Sequence, residues 1–319
     1  MNAGFALAAF LFRCVVMLEI VVLGAGAGGG FPQWNSNAPA CRRARAGDPA
    51  APSRTQASIA VSGDGQHWYV LNASPDLRTQ INQTPDMFPR EGLRSTPISG
   101  VVLTSGEIDA ITGLLTLRER QHFDLYATQP VLDQLNANPI FNALDRTLVP
   151  RHAMQPEHPI PLAPAGFSIT PFIVPGKVPL YAEKAENPAE IMSNGENIGL
   201  EITDGHARAL FIPGCAMMTD ALRNRINGAD VVFFDGTLWT DDEMIRAGLG
   251  SKTGHRMGHM SIADEPDGTI AAFRPLHVKR KILIHINNSN PILLADSPER
   301  RAVEQAGWDV AFDGMKVSL

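Results

Sequence analysis

The sequence predicts a four-layer α/β sandwich: two sheets packed face to face with helices on both outer surfaces. Three observations point to it. Hairpin signals occur in both halves of the chain, each half also alternates apolar strands with helical stretches, and the strands are nearly continuous apolar runs, as expected of strands covered on both faces. The 319 residues are 44% hydrophobic and 19% charged with a formal charge of -6, which excludes general disorder. The 28 Gly and 24 Pro fall without period, which excludes a collagen-like fibre. The mild acidity gives no basic field for phosphates, so no nucleic-acid partner is expected.

Along the chain, residues 18–23 read as a strand running into a Gly-rich turn at 24–30. Residues 35–55 show no periodicity and read as a long loop. Residues 57–62 and 68–72 alternate around Gly63-Asp64-Gly65, a hairpin signature. A short strand at 101–104, a helix at 111–120, a strand at 125–127, a helical stretch near 130–146 and a strand at 167–174 follow. Residues 175–197 are rich in Pro and polar residues and read as a surface loop or lid. The second half repeats the theme: a hairpin of 198–203 and 208–212 across Asp204-Gly205, a helix at 219–227, strands at 230–234 and 281–286, and a helix at 298–306.

The first 30 residues decide the membrane question. The apolar run 3–12 is ten residues long before Arg13, too short to span a bilayer, and no basic region precedes it as a secretory signal would require. Met17 opens a clean strand and turn, so residues 1–16 read as an extension or misassigned start, with a short anchor or atypical export signal as the alternative, and 17–319 as one domain. The three cysteines, Cys14, Cys41 and Cys215, form no disulfide framework and suit a reducing, cytoplasmic compartment.

Polar residues just past buried strands point into the binding crevice of α/β folds. Asp109 follows the strand near 101–104, Asp235 ends VVFF, His285 ends KILI, and His259 lies in a Gly-punctuated loop with His255. Taken singly, Asp235 is a capping carboxylate receiving the N–H groups of Gly236 and Thr237, and each histidine a hydrogen-bonded core residue. Together, two imidazoles and a carboxylate with open positions suit non-haem Fe(II), while a bridging Asp with more histidine suits zinc. The AGAGGG run at 25–30 is followed by Phe31-Pro32 rather than a helix, against a dinucleotide site. Arg42, Arg43 and Arg45 form a basic cluster, a solvated face or a grip for substrate carboxylates, and Cys215 reads as an inert thiol.

The segments GGGFPQWN (28–35), RTQASIAVS (54–62), LNASPD (71–76), FFDGTLWTDDEM (233–244), MGHMS (257–261) and KILIHINNSNPIL (281–293) resemble the pyrroloquinoline quinone (PQQ) biosynthesis protein B family, from about Met17 to Leu319. The resemblance implies a metallo-β-lactamase-like αβ/βα sandwich and a part in making PQQ from a Glu and a Tyr of a precursor peptide. It implies either an iron-dependent hydroxylase of the tyrosine ring or a carrier of PQQ or its precursor to the periplasm. The expected metal set is Asp109, Asp235, His259 and His285, with Asp109, His259 and His285 catalytic, Fe(II) the cofactor, and Arg42, Arg43 and Arg54 binding substrate carboxylates. The expected partner is the small-molecule precursor or PQQ; other proteins of the pathway and a second copy in a homodimer are further candidates, and the sequence itself does not set the oligomeric state.

Two departures from the family pattern stand out. Its C-x-C-x-x-C zinc clasp is reduced to Cys41, and one thiolate cannot close a tetrahedral site, so no structural zinc is expected. Its Asp-His pair reads Asp109-Ala110, and a methyl group ligates nothing. His255, four residues before His259, is either a solvent-facing histidine, the reading preferred here, or an extra imidazole that substitutes. The lactamase-type run HxHxDH is absent from 105–110, SGEIDA, which disfavours a two-zinc hydrolase.

Overall fold

The computed structural model describes residues 17–163, 165–183, 191 and 193–319. The reading of residues 1–16 and part of the 175–197 loop fall outside the described residues. The expected sandwich is present as two seven-stranded sheets.

The first sheet contains β1 (Glu19–Gly24), β2 (Ser58–Ser62), β3 (Trp68–Leu71), β4 (Ile98–Val102), β5 (Asp124–Thr128) and β6 (Arg151–Met154), with β14 (Lys316–Ser318) at its other edge. The second runs in space from β7 (Ile160–Leu162) through β8 (Phe167–Ile173), β9 (Ile198–Thr203), β10 (Arg208–Ile212), β11 (Val231–Asp235) and β12 (Arg280–Ile284) to β13 (Trp308–Val310). Both follow one plan. An antiparallel section (β14-β1-β2-β3; β7-β8-β9-β10) leads into a parallel one (β3-β4-β5-β6; β10-β11-β12-β13).

Side-chain alternation sorts the strands into three cores. Ile20, Val22, Ile59, Val61 and Leu71 of the first sheet meet Ile169, Leu200, Phe211, Phe233 and Ile282 of the second in the middle layer. The opposite face of the first sheet, including Val21, Trp68, Val70, Val101 and Leu125, is covered by α2 (Leu77–Gln83), α3 (Ile108–Ile111) and α4 (Gln129–Ala137). The outer face of the second, including Leu210, Val232, Phe234 and Leu283, lies under α5 (Asp220–Ile226), α8 (Thr269–Phe273) and α9 (Pro298–Gln305). Two further single-turn helices, α6 (Glu243–Arg246) and α7 (Gly254–Met257), sit in the connection between β11 and β12.

Several expectations need correction. The 35–55 loop contains α1 (Pro39–Arg45), started by a proline in its first turn. The helix expected at 111–120 is a single α-turn continued as a 3₁₀ segment, Thr112–Leu117. The cause is a close approach: Gly113 N–H donates to Ala73 O, and a Cβ on Gly113 would lie 2.1 Å from Ser74 O. The helical stretch near 130–146 ends at Ala137, because Asn138 is extended ahead of Pro139.

Candidate metal centre

Asp235 ends β11 with a fully buried side chain, a costly place for a carboxylate unless it is well partnered. Its Oδ1 accepts from Thr237 N (3.0 Å) and Thr237 Oγ1 (2.6 Å), and its Oδ2 from Cys215 N (2.9 Å). The cap differs from the expected one, since Gly236 N–H donates to Ile284 O instead. His259 Nδ1 lies 2.8 Å from Asp235 Oδ2.

His285 leaves β12 with φ of 59°, left-handed backbone that a non-Gly residue rarely adopts and that stores strain. The flanking backbone holds it there: Ile286 N–H donates to Ala25 O and Asn287 N–H to Thr237 O. The turn brings the imidazole alongside His259, ring centroids 5.2 Å apart and 20° from coplanar. Donor atoms of Asp235, His259 and His285 all lie within 4.8 Å of one another. The chain therefore gathers two imidazoles and a carboxylate separated by up to fifty residues, a set able to hold a metal ion.

Thr237 is the member sequence reasoning missed as a participant in its own right. Its hydroxyl sits 2.8 Å from His285 Nδ1 and 3.1 Å from His259 Nδ1, and bonds the Asp235 carboxylate. One hydroxyl has a single proton to give. Donated along the short contact to Asp235 Oδ1, it leaves the oxygen as acceptor for an imidazole N–H. Its position two residues after Asp235, in the same turn, was the available signal.

Asp109, expected among the ligands, stands behind His285 instead: its Oδ2 is 2.8 Å from His285 Nε2 and lies outside the three-residue group. Burial pushes the Asp109 carboxyl up, but the His285 hydrogen bond and the fields of both imidazoles reverse this and hold it below the usual carboxylate range. Burial likewise pushes His285 down, and the Asp109 contact with the fields of Asp109 and Asp235 raises it above the ordinary imidazole value. Both His285 ring nitrogens have an oxygen neighbour, Thr237 Oγ1 and Asp109 Oδ2, an arrangement that favours the protonated ring.

A cavity of about 620 Å³ opens over these residues, lined among others by Gly28, Asn72, Asp109, Ala110, Lys177, Lys252, His259 and His285. Ala110 presents no donor to that wall. His255 is exposed, its Nδ1 3.3 Å from Ala216 O on a separate depression, so it does not replace the missing imidazole. The glycine-rich run does not open a helix: it turns at 28–30 and bridges Phe31 to Arg54. Asp313 fastens this run, accepting from Ala25 N, Thr55 N and Thr55 Oγ1.

The three arginines expected to bind substrate are engaged elsewhere, and none lines the cavity. Arg42 donates to Asn37 O, Arg43 pairs with Asp48 and Asp296, and buried Arg54 donates to the carbonyls of Pro52, Ser53 and Ala311. Of the cysteines, Cys41 is buried beside Asn288 Oδ1 at 3.8 Å. The Cys215 thiol donates to Met217 O, and burial pushes its pKa far up, so it is inert as a nucleophile.

Residues 67–286 match the profile of the beta-lactamase superfamily domain. With the double sandwich and a donor set on its rim, the protein has a metallo-β-lactamase fold. A diphosphatase of the PhnP family, 20% identical with a TM-score of 0.66 over 95% of this chain and 97% of its own, shares that fold alone. More specific likenesses run nearly end to end. Coenzyme PQQ synthesis protein B of Gluconacetobacter diazotrophicus is 69% identical over 307 residues, covering 95% of this chain and all of the relative. The same-named protein of Gluconobacter oxydans is 56% identical over 308 residues, covering 95% and 99%. The zinc-bound crystal structure of PqqB from Methylobacterium extorquens is 48% identical, with a TM-score of 0.91 over 94% of this chain and all of that one. The chain belongs to the coenzyme PQQ synthesis protein B family and takes part in PQQ biosynthesis.

Proposed function

We propose that this protein is an iron-dependent hydroxylase acting on the tyrosine ring of a Glu–Tyr-derived PQQ precursor. The observation that carries the reading is the convergence of Asp235, His259 and His285 donors within 4.8 Å beside a 620 Å³ cavity. Two imidazoles and one carboxylate suit a divalent cation and leave positions for other ligands. Bound Fe(II) would supply the activation of O2.

The protein's own residues do the rest. Asp235 would supply the negative charge and His259 and His285 the nitrogens, while Asp109 holds the His285 ring through Nε2. To hold a cation the ligating ring nitrogens must be deprotonated, so protons at His259 and His285 would compete with its binding. The cavity is of a size for a small aromatic substrate. A cytoplasmic site of action accords with this role and with the free thiols of Cys41 and Cys215.

The test is anaerobic reconstitution with Fe(II), elemental analysis, and an oxygen electrode with a Glu–Tyr-derived substrate. Ring hydroxylation places one oxygen atom on carbon and reduces the other to water, so the assay includes ascorbate as the electron donor. Stoichiometric iron with substrate-dependent oxygen uptake is expected. Tight PQQ binding by metal-free protein with no oxygen uptake would replace the enzyme by a carrier.

A further inference from the structure

The cavity has a second charged wall, set apart from the donor set in character. Lys177 and Lys252 both line it. Lys177 is only 10% exposed, its Nζ 3.0 Å from Glu107 Oε1 and 3.5 Å from Glu183 Oε1. Its stem crosses the left-handed C-cap of α7, where a Cβ on Gly258 would lie 3.3 Å from Lys177 Cγ. The side-chain stem is thereby held against the residue that precedes His259, and its ammonium also donates to Val178 O at 3.1 Å. Lys252 Nζ and Arg256 Nη2 approach the other Glu183 oxygen at 3.6 and 3.5 Å.

Three cations thus surround the Glu183 carboxylate, and all three contacts to it are longer than charge-assisted hydrogen bonds, about 2.7–2.9 Å. Glu183 Oε1 and Arg256 Nη1 are buried with no hydrogen-bond partner. Buried polar atoms are ordinarily satisfied, so orphaned ones of opposite charge just behind the wall residues Lys177 and Lys252 call for an explanation. Burial pushes the Glu183 carboxyl up, yet the fields of Lys177, Lys252 and Arg256 hold it below its ordinary value. Against Glu107 and Glu183, the three cations leave the cluster with net positive charge.

We propose that Lys177 and Lys252, backed by Arg256, form a carboxylate-binding subsite on the cavity wall, for which Glu183 is the loosely held internal surrogate. An entering carboxylate would take the ammonium of Lys252 from Glu183 while Lys177 and Arg256 retain it. The ligand class is an aromatic polycarboxylate, with its ring toward His259 and His285 and an acid group toward the lysines. The choice of ligand rests on the PQQ-pathway reading above, and it assigns the role once expected of Arg42, Arg43 and Arg54.

The experiment titrates the metal-free full-length protein with PQQ, a tricarboxylate, and with its trimethyl ester, following tryptophan fluorescence. Lys252→Ala is the main variant, because Lys252 is 38% exposed and its loss leaves Glu183 two cations. It is expected to weaken PQQ binding about tenfold, in the range of one hydrogen bond to a charged group, and to leave ester binding unchanged. No PQQ binding by the wild type, equal PQQ affinity in Lys252→Ala, or an equal loss for the ester overturns the subsite. Oxygen uptake by iron-loaded wild type is read separately. Its absence alongside Lys252-dependent PQQ binding removes the hydroxylation and keeps the subsite.

Discussion

The two sheets are built to one plan, an antiparallel section leading into a parallel one, yet they equip the cavity unequally. The second sheet delivers Asp235 from the end of β11, His285 from just past β12 and His259 from the connection between those strands. The first sheet, past β4, delivers Asp109 and then Ala110. One side thus contributes three donors and the other a single carboxylate that reaches only the back of His285. The difference teaches that the second sheet gathers the candidate donors, while the first places a carboxylate against the second nitrogen of one of their rings.

The largest test of that inequality is His285→Ala, which removes a donor and frees Asp109. It is expected to lower Fe(II) affinity by ~100-fold or more, since ligand loss exceeds the 10–100-fold cost of losing an outer partner. Iron content after gel filtration checks it, and retained stoichiometric iron would place the centre elsewhere.

Asp109→Asn should cost roughly 10–100-fold in iron affinity with the donors intact. The same variant has a pH signature in the metal-free protein. Asp109 is depressed, so its contribution to stability is present above the unfolded carboxylate value and lost as pH falls through the folded one. His285 is raised, so its contribution is present below the unfolded imidazole value and lost as pH rises through the folded one. The Tm gap between wild type and Asp109→Asn should therefore be widest between about pH 4 and about pH 6.5, the two ordinary values. A gap that grows toward alkaline pH would contradict the pairing.

Ala110→His offers the first sheet a donor. If the inequality limits metal binding, iron affinity should rise about tenfold, near the lower end of what a partner in or around a site contributes. No change in uptake or turnover would make Ala110 neutral. The smallest effect is expected from Arg42→Ala: its exposed side chain donates to Asn37 O on the surface, and stability should move by less than about 0.5 kcal/mol. Its PQQ affinity should match that of wild type in the same titration used for Lys252.

Much of this arrangement was legible in the sequence because it is written locally. Buried strands such as VVFF and KILI announce themselves as apolar runs, and a charged residue ending one marks the rim. The pairs Gly63-Asp64-Gly65 and Asp204-Gly205 located both hairpins correctly. What escaped depended on distant partners. Edge strands β6 and β7 are short and partly exposed, with burial patterns too weak to read, and β14 is a strand only because β1 accepts it. The arginine assignment failed because basic residues carry no record of whether a neighbouring Asp or carbonyl has already claimed them. Lys177 and Lys252 lie 75 positions apart, and only folding makes them neighbours of one carboxylate.

The pairing of β14 with β1, together with the grip of Asp313 on Ala25 and Thr55, ties the glycine-rich turn to a segment 288 positions away in sequence. Closing so long a loop costs chain entropy before these contacts offset it. The backbone at 28–30 that lines the cavity is therefore held from a distance, and damage at the β14 edge is expected to reach the pocket without touching any donor residue.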